Sequence, residues 1–276
     1  MLHLPSPLIK ARGLSSRYGK DIWLKLETLH PTGCHKDRES LAIIEACKRQ
    51  RIKKVGCTST GNFAISLAFF SHVYDIECHV WVKDSDNNIT KFLECFGAKI
   101  HRMDGTFSEI YGLSNSVMGN MKIFNANPGK CQEKIFANRE IGVEIQTQNP
   151  NVDTVICALN NGSHFIGVDS GLSNVKMIGV YSHCKLAPSI YGFSKEEGEK
   201  DIVKVGGLLI EAYENDLRVG VRQLLKEGVI AQTASAATVG IIDRLDLSTS
   251  KTICCVITGT ALKYPRELLS AVTGLK

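Results

Sequence analysis

Two six-residue runs limit what this chain can fold into. Thr154-Val155-Ile156-Cys157-Ala158-Leu159 and Thr252-Ile253-Cys254-Cys255-Val256-Ile257 are almost wholly apolar. Neither alternates apolar with polar residues, as a strand wet on one face would. Such strands belong in a parallel sheet covered on both faces. Between and before them the chain repeats strand, polar turn, helix. Strands are predicted at Ile22–Glu27, Lys54–Cys57, Cys78–Val82, Lys99–Arg102 and Met177–Tyr181. Helices are predicted from Leu41, over Phe63–His72, over Asn88–Phe96 with Gly97 as the stop, and over Phe107–Met118, Ile135–Gln148, Asp216–Glu227 and Ala234–Arg244. Strands that alternate with helices make a parallel α/β fold.

The length, 276 residues, suits one large or two modest domains. The ten cysteines are scattered, with no Cys-x-x-Cys pair, so no metal is expected. Those within apolar runs read as reduced core residues. No apolar run has the length to span a bilayer, and Met1-Leu2-His3-Leu4-Pro5 carries no basic-then-apolar leader. The expected setting is cytoplasmic, with no membrane partner. The net charge of +5 is mild and no basic stripe is interleaved with aromatics, so no nucleic-acid partner is expected. The stretch Ser189–Gly207, with its Lys195–Lys200 charge cluster, reads as a solvated excursion.

Ligands of parallel α/β sheets bind beyond the C-terminal ends of the strands. Four polar turns occupy that position. The first, Pro31-Thr32-Gly33-Cys34-His35-Lys36-Asp37-Arg38, sets Lys36 beside a glycine turn at the mouth of a helix. A lysine there is either an ordinary surface residue or, partly desolvated, an amine able to form a Schiff base with an aldehyde. The second, Thr58-Ser59-Thr60-Gly61-Asn62, opens a helix and reads equally as an N-cap or as a carboxylate site. In the third, Asn160-Asn161-Gly162-Ser163-His164, the glycine admits a ligand close to the backbone, and the N–H groups and hydroxyl can hold a phosphate. The alternative is a plain turn. The fourth, Thr258-Gly259-Thr260-Ala261-Leu262-Lys263-Tyr264-Pro265, puts a hydroxyl at the end of an apolar strand, or is simply a turn.

The order of these four segments resembles the fold-type II pyridoxal-phosphate enzymes, the tryptophan synthase beta superfamily, and within them threonine synthase most. Ile230-Ala231-Gln232-Thr233-Ala234-Ser235-Ala236-Ala237 also resembles a threonine synthase segment, with Gln232-Thr233 in place of the usual Glu-Pro. The resemblance implies an α/β fold of two parallel-sheet, three-layer domains with pyridoxal 5′-phosphate in the interdomain cleft. Residues 1–45 and 126–276 would form the large cofactor-binding domain, and 46–125 the small domain that binds the substrate carboxylate. It implies Lys36 as the Schiff-base lysine and catalytic base, and Asn62 at the phenolic oxygen of the ring. Asn160, Asn161, Gly162, Ser163 and His164 would bind the cofactor phosphate, and Thr258 would meet the pyridine nitrogen. Ser59, Thr60, Gly61 and Phe63 would take the substrate carboxylate. A neutral hydroxyl at the ring nitrogen suits elimination and replacement better than transamination. A homodimer and a small amino-acid substrate are implied as well.

Departures from the family pattern are Cys34-His35 for Ser-Phe, Asn160 and Ser163 for glycines, and a shortened stretch between Ser189 and Ala212. His35 is either a packed neutral imidazole or an added acid/base. Lys130, Lys134 and Arg139 read as a solvated face, with contact to a substrate phosphate as the alternative. The expected reaction converts O-phosphohomoserine and water to threonine and phosphate. The alternatives are a serine/threonine dehydratase, a cysteine or cysteate synthase, and a non-catalytic binding protein that keeps the fold.

Overall fold

The computed structural model describes residues 5–59, 61–83, 88–127, 131–160, 162–190 and 207–273. The chain divides into two compact units, one of residues 36–137 and one of residues 3–35 with 138–276.

The first unit is built on a four-stranded parallel sheet. Its strands are β3 (Lys54–Thr58), β4 (Glu77–Lys83), β5 (Lys99–Met103) and β6 (Phe124–Asn125), in the order β5-β4-β3-β6. Trp81 of β4 points to one face and packs on Ile110 and Met118 of α5 (Phe107–Asn120) and on Ile123. Residues one step along the strand face the other way. Cys78 there meets Ser71 of α3 (Asn62–Val73), which packs in turn on α2 (Lys36–Arg49). That packing brings the whole of α2 into this unit. Helix α4 (Asn88–Cys95) completes the layer and stops at Gly97, as predicted. Helix α2 starts at Lys36, five residues before the apolar run at Leu41. Asp37 and Glu39 in its first turn suit the positive end of the helix dipole.

The second unit holds a six-stranded sheet in the order β1-β2-β10-β7-β8-β9. Its strands are β1 (Leu8–Lys10), β2 (Asp21–Leu26), β7 (Thr154–Ala158), β8 (Lys176–Tyr181), β9 (Leu208–Glu211) and β10 (Thr252–Ile257). Only β1 runs antiparallel to its neighbour. Every residue of β7 and β10 is buried. Alternate residues split between two cores, which is why both runs lack polar positions. Ile156, Ile253, Cys255 and Ile257 face α8 (Glu214–Lys226) and α9 (Thr233–Gly240). Val155, Cys157, Cys254 and Val256 face α6 (Glu133–Gln148) and α7 (Ser163–Ser170). Helices α8 and α9 touch backbone to backbone. A Cβ built on Gly220 would lie 2.0 Å from the Ala236 carbonyl oxygen, and one on Gly240 would lie 1.9 Å from that of Asp216. No larger residue fits at either position.

Four elements here gave little signal in the sequence: β1, the seven-residue α1 (Arg12–Tyr18) closed by left-handed Gly19, β9, and α10 (Pro265–Thr273). Residues 191–206, which include the charge cluster of the expected excursion, lie outside the described residues. All ten cysteines are free, and seven are buried. Burial pushes the thiols of Cys57 and Cys255 up to about 12, so they pack as small apolar groups.

Glu267 of α10 carries a pH-dependent cost. Its burial raises the carboxyl pKa from 4.5 to about 7. Between those values the unfolded chain has lost the proton and the folded chain keeps it. Stability therefore falls as pH rises through that window, and is flat on either side. Glu267→Gln is expected to stabilise by about 1–2 kcal/mol at pH 8, after allowance for screening at a part-exposed group, and by nothing at pH 4. Urea melts at the two pH values check this; an equal gain at both would refute it.

Candidate active site

In the first unit, the turn after β3 is held by a polar cluster. The Thr58 N–H donates to Asn127 Oδ1 at 2.6 Å, and the Thr58 and Ser114 hydroxyls are 2.6 Å apart. The Asn127 amide donates to Asn115 Oδ1 at 2.8 Å. Asn127 is fully buried. The sequence reading passed over Asn115, Ser114 and Asn127; the one available signal was a pair of asparagines just past a short apolar run. The cluster sets the strand end from which the loop departs. Ser59 Oγ accepts from the Gly61 N–H at 3.3 Å, and Gly61 caps α3. Asn62 is the first residue of α3 and Phe63 the second, 8% exposed. A Cβ built on Gly61 meets nothing within 4 Å. Packing within the protein therefore does not demand glycine here, whereas a ligand approaching the backbone would. Thr60 lies outside the described residues.

Lys36 is the first residue of α2, and its Nζ donates to Glu39 Oε1 at 2.7 Å. The lysine side chain is 23% exposed and that of Glu39 1%. The amine thus sits at a buried carboxylate rather than on an open face. Lys134 belongs to the same neighbourhood, which corrects the expectation of a solvated face. It is 4% exposed, and its ammonium lies 3.7 Å from the centre of the Phe63 ring. Burial pushes its pKa down, the Glu39 charge opposes that, and Lys36 adds to the lowering. Arg139 is half-exposed beside Glu140, as a solvated face would have it. Lys130 lies outside the described residues.

In the second unit, the octapeptide up to His35 is laced onto the loop after β10. Cys34 bridges to Gly259, the Thr260 N–H donates to the Gly33 carbonyl at 2.9 Å, and Lys263 Nζ donates to the Thr32 carbonyl at 2.5 Å. Gly33 has φ 76°, and a Cβ there would lie 2.6 Å from the Thr260 methyl. A side chain at 33 would be strained twice over. The His35 N–H donates to the Thr258 carbonyl at 2.9 Å, and its Nδ1 lies 3.2 Å from the same oxygen. His35 is thereby fixed to the end of β10. The same unit holds a buried polar chain: Lys25 Nζ to Glu144 at 2.6 Å, Ser6 Oγ to Glu27 at 2.5 Å, and Glu27 to His30 at 2.7 Å.

Thr258 is 8% exposed, and its hydroxyl lies 2.8 Å from that of Ser235 in α9. Ser235 belongs to the Ile230–Ala237 segment, where nothing in the local pattern set it apart. The loop before α7 has Gly162 in the left-handed region at φ 83° as N-cap, with Ser163 first in the helix. The first N–H groups of a helix have no partner within it and favour an anion. His164 is buried, its Nδ1 3.1 Å from Asn138 Oδ1 and its ring 4.6 Å from that of His35. Asn160 is exposed, and its amide donates to the Ser189 carbonyl at 2.6 Å. Asn161 lies outside the described residues.

In the first unit, then, an amine stands at a helix start beside a buried carboxylate. In the second, a buried hydroxyl pair stands at a strand end and a glycine caps a helix start. A family model for pyridoxal-phosphate dependent enzymes matches residues 1–259. The threonine synthase of Methanocaldococcus jannaschii is 24% identical, over 96% of this chain and 76% of its own. Maize serine racemase superposes with a TM-score of 0.86 at 15% identity, covering 97% of this chain and 91% of its own. The processed form of threonine deaminase isoform 2 from Solanum lycopersicum superposes with a TM-score of 0.82 at 17% identity, covering 99% and 84%. The likeness to these two structures concerns the fold. With nearly its whole length matched, this chain belongs to the pyridoxal-phosphate-dependent enzymes of fold type II, and pyridoxal 5′-phosphate is its cofactor.

Proposed function

We propose that this enzyme carries out elimination and replacement on a phosphorylated hydroxy-amino acid, releasing phosphate and adding water, with O-phosphohomoserine as substrate and threonine as product. The observation that carries the reading is the likeness to a threonine synthase along 96% of the chain. Two local features support it. Thr258 offers the ring nitrogen a hydroxyl rather than a carboxylate, which suits elimination. Lys134 keeps a cation buried beside Phe63, where a doubly anionic substrate gains from one.

When bound, the cofactor supplies the electron sink that makes the substrate α-proton acidic. The protein supplies position and proton traffic. Lys36 holds the cofactor through its amine and then takes the α-proton at Nζ. Glu39, 2.7 Å away, orients that amine. Asn62 donates to the phenolic oxygen, and Thr258 meets the ring nitrogen. Gly162, Ser163 and His164, with Asn161, hold the phosphate through the start of α7; Asn160, tied to Ser189, steadies the loop. Ser59, Thr60, Gly61 and the Phe63 N–H take the substrate carboxylate at the start of α3. A homodimer belongs to the same proposal, as does a cytoplasmic setting, which ten cysteines outside any disulfide suit.

Product analysis of the holoenzyme tests the reaction. Phosphate released in step with threonine supports it. Ammonia with a 2-oxo acid would replace it with a dehydratase, and turnover that depends on sulfide or sulfite would replace it with a cysteine or cysteate synthase. A protein that binds the cofactor and turns over no amino acid would point to the non-catalytic reading.

A further inference from the structure

We propose that Ser235 is a positioning residue that makes the Thr258 hydroxyl a hydrogen-bond donor to the cofactor's pyridine nitrogen. The inference rests on the placement of Thr258 at that nitrogen.

The argument starts from proton counting. A hydroxyl has one proton to give and two lone pairs with which to accept. Ser235 Oγ accepts from the Gly259 N–H at 3.0 Å. Its own proton then has two targets, Thr258 Oγ1 at 2.8 Å and the Gly259 carbonyl at 3.4 Å. The nearer is a normal hydroxyl–hydroxyl distance and the farther is at the weak limit. Ser235 therefore donates to Thr258, and Thr258 turns its own proton elsewhere. The resulting chain runs from the Gly259 N–H through the Ser235 and Thr258 hydroxyls. Each link polarises the next, so the last proton is a better donor than that of a lone threonine. An unprotonated pyridine nitrogen is an acceptor and completes such a chain; a protonated one would compete with it.

The geometry is held from outside the site. Ser235 is fully buried in α9, and its carbonyl accepts from the Thr238 hydroxyl at 2.8 Å. The backbone contacts at Gly220 and Gly240 pin α9 against α8. Neither helix can slide without a clash, so Ser235 keeps its place relative to Gly259. A surface serine would lose the same proton to water.

The test uses holoenzyme loaded with cofactor labelled with ¹⁵N in the ring, read by the nitrogen chemical shift. Thr258→Val is expected to move the resonance toward that of a pyridine with no hydrogen bond. Ser235→Ala is expected to move it the same way by a smaller amount, and Ser235→Thr, which keeps the hydroxyl, to restore it. A shift with Thr258→Val but none with Ser235→Ala would overturn the role of Ser235 and leave Thr258 where it is. No shift in either variant would remove Thr258 from the ring nitrogen, and this inference with it. Both outcomes are independent of which amino acid the enzyme converts.

Discussion

Lys36→Ala is expected to lose the visible absorbance of the bound cofactor, the borohydride-fixed adduct at position 36, and turnover by on the order of 10³-fold or more. The size follows from two losses at one atom. On the proposed reading the Nζ amine would bond the cofactor aldehyde and would also be the base for the substrate α-proton. General-base removal alone costs about 10²–10⁴-fold. The substitution also breaks the 2.7 Å pair with Glu39, whose side chain is 1% exposed. Breaking a fully buried pair costs about 3–5 kcal/mol. Lys36 is part-exposed and Lys134 adds its charge nearby, so a cost of about 1–2 kcal/mol is expected. Lys36→Ala combined with Glu39→Gln separates the effects. The double variant should recover stability and stay inactive. A single variant that kept its spectrum and its turnover would sink the assignment of Lys36.

Thr258→Asp is expected to change what the enzyme makes as well as how fast. A carboxylate at that position would hold the ring nitrogen protonated and deepen the electron sink. Side reactions such as transamination should rise relative to the main product, and the main rate should fall about 10- to 100-fold, the equivalent of about 1.4–2.7 kcal/mol in the barrier. The apoprotein should also lose stability, because position 258 is 8% exposed and an ionised carboxylate there is largely cut off from water. Thr258→Ser serves as the control, since it keeps the hydroxyl and should keep the product profile. An unaltered profile in the aspartate variant would count against Thr258 at the ring.

The apolar runs of β7 and β10 were legible as buried parallel strands because burial on both faces leaves no position for a polar residue. The helix expected from Phe63 was legible to within one residue, because small polar residues and glycine mark the ends of strands and the caps of helices; the helix from Ser163 was not told apart from a plain turn. The early start of α2 was not. Lys36-Asp37-Arg38-Glu39-Ser40 has no apolar period of its own, and it becomes buried helix only by packing in the unit. Lys134 was misread for a related reason. A basic residue among polar neighbours looks solvated until the Phe63 ring and Glu39 are found beside it.

By itself the sequence determined the α/β class and pointed to four polar turns at strand ends, with a lysine in the first. Those depend on local patterns: hydrophobic period, turn residues, and the order of short motifs along the chain. Tertiary structure alone decided which groups support them. Glu39 under the amine, Asn127 behind the turn after β3, and Ser235 behind the Thr258 hydroxyl are ordinary residues in sequence. Two of these partners come from segments 69 and 23 residues away from the group they serve. Hydrogen bonds across such separations are set by how strands and helices pack, and no local pattern records them.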